Sequence, residues 1–508
     1  MPTAAIPPLV DVSAETPRGP VITAGPAEER AFLDALRAGV IGADAVLDGP
    51  DGPRPLRYFD WIASGRFHRA VEDELNTRVL PFMATAHTET SATGRAMTRW
   101  YEAAFRRIAG YVNAGPDDVV LPVGSGSTGA VNRLIHVMGL RLPSVLEDRY
   151  GLSRHIPAAE RPVVFRSQME HHSNDITWRE TIADTVYVRF DARGRISAED
   201  LDARLAEFRD RPLKIGTFSA ASNVTGIRND CHALARVLHR HGALAFFDYA
   251  ASGPYVEIDL HPRRADGAPD AEAALDAVFL SVHKFLGGPR APGLLIAHRR
   301  LFSNRVPAEP GGGTVLYVSP TEHEYLADTS HRETGGTPPI VGSIQAGLAF
   351  DLKHAIGPAR IRRIEADYLA RALAAWTAHP RLRVLGDLEA ERLGVVSLIV
   401  EGVHHNLVVA LLNDRFGIQV RGGCMCAGPY GHELLHIDEG VSRAIRQQLE
   451  QGHGAVKPGW VRVCFSPVTG EDEFQTLLEA VEWVAREGPA WADRYALDDA
   501  TGEWRRVR

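Results

Sequence analysis

Basic excess, long apolar runs and cysteine are all scarce in this chain. Lys and Arg number 56 against 64 Asp and Glu, for a net charge of −8. With no cationic surplus there is no polyanion-binding signature, and nucleic acid is not expected as a partner. No apolar run reaches the roughly 18 residues needed to cross a bilayer, so no membrane partner is expected. The opening stretch MPTAAIPPLVDVSAETPRGP has neither a basic n-region nor an apolar h-region, and does not read as a secretory signal. Only four cysteines occur, Cys231, Cys424, Cys426 and Cys464. That is no disulfide framework, and a reduced, cytoplasmic setting fits it.

What is present is an ordinary globular composition, 45% apolar and 24% charged, over 508 residues, long enough for two or three cores. Residues 1–26, rich in Pro and Ala, read as a disordered or loosely draped tail. Residues 27–55 read as an N-terminal helical segment (Phe32, Leu36, Val40) ending at the DGPDGPRP break. Over 56–338 short apolar runs alternate with amphipathic stretches. The strand candidates are 118–123, 162–167, 185–190, 213–220, 243–249, 277–282 and 293–298, with helices expected at 129–140, 197–209 and 230–241. This order predicts an α/β fold, a mostly parallel seven-stranded sheet with helices on both faces. A linking helix is expected over 339–377, leading to a smaller α+β domain over 378–508. Ligands of such sheets sit beyond the carboxyl ends of the strands.

The chemistry-bearing residues fall at those ends. In DDVVLPVGSGSTGAVNRLI, Gly124, Gly126 and Gly129 separate a strand from a helix. Free amides there, with the hydroxyls of Ser127 and Thr128, make a phosphate cradle. The same glycines fit a dinucleotide fingerprint, with Glu147 and Asp148 about 20 residues on. Asp248 closes the apolar run ALAFFDY, where a buried carboxylate needs a positive partner such as a pyridinium N–H. Lys284 stands beside His283 in FLSVHKFLGGP. Burial would lower its pKa and leave a nucleophilic amine able to condense with an aldehyde. Ser281 and His283 are placed to reach a phosphate. His171, in MEHHSND, offers a flat ring for stacking; His171 and His172 as a metal pair is the weaker reading, since adjacent residues of an extended chain point oppositely. Asn223, in SAASNVTGI, ends another strand. Each residue alone has a bland alternative: a turn, a cap or a solvated tip. Together they meet the needs of pyridoxal 5′-phosphate: phosphate cradle, ring stack, counter-charge and amine.

At this point the chain, over roughly 56–485, resembles the class V aminotransferase-fold enzymes (PLP-dependent transferase fold type I), among them cysteine desulfurases and selenocysteine lyases. MEHHSN, SNVTG, the Asp248 segment and SVHKFLGGP carry the resemblance. It implies Lys284 as the Schiff-base lysine, Asp248 on the ring nitrogen and His171 stacked on the ring. It implies Asn223 near the cofactor's phenolic side and the substrate carboxylate, and Ser127, Thr128, Ser281 and His283 on the phosphate. RETGGTPPIVGSIQAGL resembles the family segment whose threonine, here Thr337, reaches the phosphate of the neighbouring subunit, which implies a homodimer with shared active sites. IQVRGGCMCAGPYGHELL resembles the catalytic-cysteine loop, with Cys426 as nucleophile, and WVRVCFSPVTGEDE the segment that supplies the arginine for the substrate carboxylate, here Arg462. The substrate so implied is L-cysteine or a related small amino acid, with a sulfur-acceptor protein as a further partner.

The chain departs from the family pattern at four points. Ala251 stands where a glutamine usually bonds the cofactor, Gly129 where an acid usually follows the phosphate-loop threonine, and Cys424 and Met425 where histidines usually precede the loop cysteine. Sequence leaves open whether Cys424 or Cys426 is catalytic, and whether the pair is instead redox, metal-binding or packing. It also leaves open a transaminase, epimerase or C–S lyase on the same scaffold, an NAD(P)-binding oxidoreductase, and a non-catalytic relative.

Overall fold

The computed structural model of the protein describes residues 8–23 and 25–507. All seven expected strands form one sheet. From edge to edge it runs Asp118–Val123, Gly293–His298, Ala277–Ser281, Leu244–Asp248, Lys214–Ser219, Val163–Ser167 and Asp184–Val188. Every pairing is parallel except the two made by Gly293–His298, which runs antiparallel to both neighbours. The strands Val163–Ser167, Lys214–Ser219 and Ala277–Ser281 are buried along their whole length. That explains their unbroken apolar runs: helices cover both faces, so no residue is selected for water. Six strands therefore end at the same edge of the sheet, as the site requires.

The helix Gly126–Val137 follows the first strand, and His172–Arg179 follows Val163–Ser167. The expected single helix over 339–377 is two, Ile340–Ile356 and Pro358–Thr377. Gly357, at φ +90°, turns the chain between them, and Pro358 suits the first turn of the second helix because it has no N–H to leave unbonded. The smaller domain is a four-stranded antiparallel sheet, Leu382–Val384, Val395–Val400, Trp460–Cys464 and Arg421–Gly423 in spatial order. It packs with the helices His405–Phe416 and Glu471–Trp491 around a core that includes Leu411, Phe474 and Val481.

Two readings of the N-terminal region need correction. Within 27–55 only Pro26–Ala38 is helical; the Gly/Pro-rich break is a hairpin, Val46–Gly49 against Gly52–Pro55. Residues 1–7 of the expected disordered tail lie outside the described residues, but the part from residue 8 onward is tied down. Val10 and Val12 are buried, the Arg18 amide donates to the Tyr111 hydroxyl (2.8 Å), and the Val21 amide donates to the Ala355 carbonyl (2.7 Å). The stretch 141–161 carries a short helix, Ser144–Tyr150, with Val145 exposed. At the other end the hairpin Tyr495–Asp498 and Glu503–Arg506 returns to the small domain, where Trp504 Nε1 donates to His404 Nδ1 (3.0 Å). Among the described residues no helix is long and apolar enough to cross a membrane.

Candidate active site

The carboxyl ends of the strands surround a cavity of about 240 Å³, closed on the far side by the small domain. Ser127, Thr128, His171, Asn223, Asp248, Ser281, His283, Lys284, Cys426 and Arg462 all line it. Of the residues expected at the site, only Thr337 lies elsewhere; it is exposed, just before the helix Ile340–Ile356.

Asp248 is the last residue of its strand and is buried. Its Oδ1 accepts from the Ser127 hydroxyl (2.8 Å) and the Ala250 amide (2.8 Å). Burial pushes its pKa up, and these two hydrogen bonds and the Lys284 charge oppose the rise. The Ser127 hydroxyl, expected on a phosphate, is thus engaged by the carboxylate, while its backbone amide donates to Ser281 Oγ (2.9 Å). Lys284 follows the strand Ala277–Ser281 on one turn of 3₁₀ helix. Burial lowers its pKa to about 8, against the pull of Asp248, and Arg462 and Arg421 lower it further. Among the described residues its amine has no hydrogen-bond partner.

His171 caps the helix His172–Arg179, its Nδ1 accepting from the Ser173 amide (3.1 Å). Burial, then Lys284, holds its pKa down at about 3, so the ring is neutral at physiological pH. Burial likewise lowers His283 to about 4. The rings of His171 and His172 are 6.3 Å apart and serve different ends: His171 faces the cavity, and His172 meets the small domain. Gly126, at φ +57°, has no room for a side chain; a Cβ there would lie 2.8 Å from Ser281 Oγ and 2.9 Å from His283 Cε1.

The small domain supplies the other wall. Arg462 donates to the Asn223 carbonyl (3.0 Å) and to Asp60 Oδ1 (2.7 Å), and Arg421 donates to Asp60 Oδ2 (3.0 Å). Asn223 Nδ2 donates to the Met425 carbonyl (2.8 Å), while its buried Oδ1 has no partner among the described residues. Cys426 is exposed and faces the cavity; Cys424 is half-buried and is not part of the lining.

Sequence reasoning missed several working groups. Asp60 holds both arginines from a segment about 400 residues away in sequence, and no local pattern signals that. Arg421 stands five residues before Cys426 in the loop already singled out, and its charge at a strand end was a usable sign. Ser173, in the MEHHSND motif, bonds both Thr128 Oγ1 (2.6 Å) and His171 Nδ1 (3.0 Å). Glu170, just before His171, is fully buried and accepts from Ser167 Oγ (2.6 Å), Ser219 Oγ (2.7 Å) and Asn174 Nδ2 (2.8 Å); burial raises it to about 7. Glu147, the candidate ribose carboxylate, sits in the exposed 141–161 segment and accepts from the Ser153 amide (2.9 Å), away from the cavity.

Comparison with known proteins agrees with this geometry. A probable cysteine desulfurase of Halalkalibacterium halodurans is 29% identical over 393 residues, 76% of this chain and 87% of the relative. The solved structure of a cysteine desulfurase from Thermococcus onnurineus NA1 superposes with a TM-score of 0.69 at 21% identity, over 89% of this chain and 98% of that one. That of the cysteine desulfurase CsdA from Escherichia coli gives 0.67 at 22% identity, over 90% and 98%. These two likenesses show a shared fold. The family model for aminotransferase class V matches residues 57–446, which spans the whole large sheet, the linking helices and the Cys426 loop, and the chain belongs to that family.

Proposed function

We propose that the protein is a pyridoxal 5′-phosphate-dependent cysteine desulfurase. One observation carries the reading: an accessible thiol, Cys426, shares one cavity with a depressed-pKa lysine, a buried aspartate and two arginines. The residues fit the cofactor. Asp248 is a buried carboxylate whose only positively charged contributor among the described residues is Lys284, and a pyridinium N–H would answer it. The unpartnered Asn223 Oδ1 suits a donor on the ring, and the neutral His171 ring suits stacking. The start of the helix Gly126–Val137, with Thr128, Ser281 and His283, suits the phosphate. Lys284 would hold the aldehyde. Ala251 lines the cavity with no polar atom on its side chain, so the phenolic side rests on Asn223.

The bound cofactor supplies an electron sink for the pair left when a Cα–H bond breaks. The chain's own groups do the rest. Arg462, oriented by Asp60, binds the substrate carboxylate. The neutral Lys284 amine takes the proton from Cα and returns it. The Cys426 thiolate bonds to the substrate sulfur as the C–S bond breaks, the electron pair of that bond stays with Cβ, and Cβ takes up the proton given up by the thiols, leaving alanine and a persulfide on Cys426. The exposed thiol is then open to an acceptor protein. Thr337, exposed and outside its own chain's cavity, is taken to serve the phosphate of a second subunit in a homodimer. The four free cysteines and a persulfide suit a reducing, cytoplasmic compartment.

The test is Cys426→Ala, assayed for alanine with bound persulfide and for pyruvate with sulfide. Loss of persulfide with retained cofactor absorbance is the expected result. Undiminished alanine and persulfide formation would reject the nucleophile and leave a lyase or transaminase.

A further inference from the structure

The Cys426 loop is held in an unfavourable backbone shape. Met425 and Cys426 both have φ +56°, where non-glycine residues are rare, and the Ala427 amide closes the turn on the Cys424 carbonyl (3.1 Å). Two side-chain-bearing residues in that region are strained, and persist only when neighbours over-determine them. The neighbours here belong to the other domain. The His172 amide donates to the Cys426 carbonyl (2.8 Å), and His172 Nε2 accepts from the Gly428 amide (3.0 Å). Asn223 Nδ2 holds the Met425 carbonyl, one residue earlier (2.8 Å). His172 therefore grips the chain on both sides of Ala427, with its ring as the acceptor and the proton on Nδ1. Gly428 permits the approach, since a Cβ there would come 3.2 Å from Nε2. Burial holds His172 below its ordinary pKa, which keeps that acceptor form at neutral pH.

We infer that His172 is a positioning residue for sulfur transfer, a latch that presents the Cys426 thiol to the cavity by clamping its strained turn onto the large domain. The inference rests on the reading of Cys426 as nucleophile, but the latch itself can be judged separately. His172 touches neither the cofactor site nor the reacting atoms. Loss of its ring removes the bond to Gly428, leaves the turn to the His172 amide and Asn223 alone, and lets the thiol move.

The experiment uses the full-length, cofactor-loaded protein with His172→Ala, His172→Gln and Gly428→Ala. Alkylation of Cys426 by iodoacetamide, followed by peptide mass mapping that separates it from Cys424, reads the turn directly. Turnover with L-cysteine reads the consequence. In His172→Ala the Cys426 alkylation rate should change several-fold, and kcat should fall by roughly ten- to a hundredfold with KM little altered, as expected for a misplaced reacting group. Visible cofactor absorbance should stay. Gln, whose Oε1 can replace Nε2 as acceptor, should recover most of the loss. Gly428→Ala, which leaves His172 intact and presses a methyl against its ring, should give a smaller change of the same sign and serves if His172→Ala does not fold. Unchanged alkylation and kcat in both His172→Ala and Gly428→Ala overturns the latch, as does a glutamine variant no better than alanine. If Cys426→Ala still makes persulfide, the proposed function falls, and the alkylation comparison alone decides the latch.

Discussion

A lysine at the end of a buried strand, followed by two glycines, needs a reason, and the cavity gives it one. Lys284 Nζ has no hydrogen-bond partner among the described residues and is depressed to about 8 chiefly by burial. The neutral amine is the form that attacks an aldehyde, so its fraction grows as pH rises through that value. Stopped-flow mixing of cofactor-stripped protein with pyridoxal 5′-phosphate should show a loading rate that climbs between about pH 7 and 9 and then levels; a rate still rising steeply beyond pH 10 would mean an ordinary lysine. Residues of this kind were legible in the sequence because each stands at the end of an apolar run. Asp60 was not, since its work is a contact across the chain, 361 residues from Arg421. The role of His172 was hidden for the same reason: its partners Cys426 and Gly428 lie in the other domain.

At the scale of elements, the seven strands were readable because helices cover both faces and leave continuous apolar segments. The break at Gly357 was read through, because the apolar spacing continues on either side of it and only the Gly-Pro pair marks the stop. The short hairpin at Val46–Pro55 alternates only between exposed and half-buried positions, and its residues VLDG and GPRP carry no apolar alternation to read. The loop from Val123 into the helix Gly126–Val137 is the element most sensitive to change. Gly126→Ala places a Cβ against Ser281 and His283 at a positive φ. It should cost about 1–2 kcal/mol of stability and weaken cofactor affinity about tenfold or more, read by thermal unfolding and by absorbance titration. Unaltered affinity would show that this loop does not touch the phosphate.

Over the whole molecule, the N-terminal segment acts as a strap on the back of the large domain. It crosses the helices Ala92–Tyr111 and Ile340–Ile356, where Arg107 and Asp351 form an ion pair with both side chains fully buried (3.1 Å) and Tyr111 also donates to Asp351 (2.9 Å). Arg107 further donates to the Ala14 carbonyl of the strap. Arg107→Ala strands the carboxylate and should destabilise the protein by about 3–5 kcal/mol, whereas the double change Arg107→Met with Asp351→Leu should recover much of that, by denaturant unfolding. Equal losses in both would place the stability in the shape of the site and not in its charge. Pro- and Ala-rich composition concealed this strap: Val10 and Val12 are too few to announce a buried segment.

The thiol of Cys426 belongs to the cavity wall and yet remains exposed. On the chemistry proposed here, loading and unloading then happen at a single atom seen from two sides. A carrier can collect its cargo at the rim, and no reactive sulfide has to travel through bulk water.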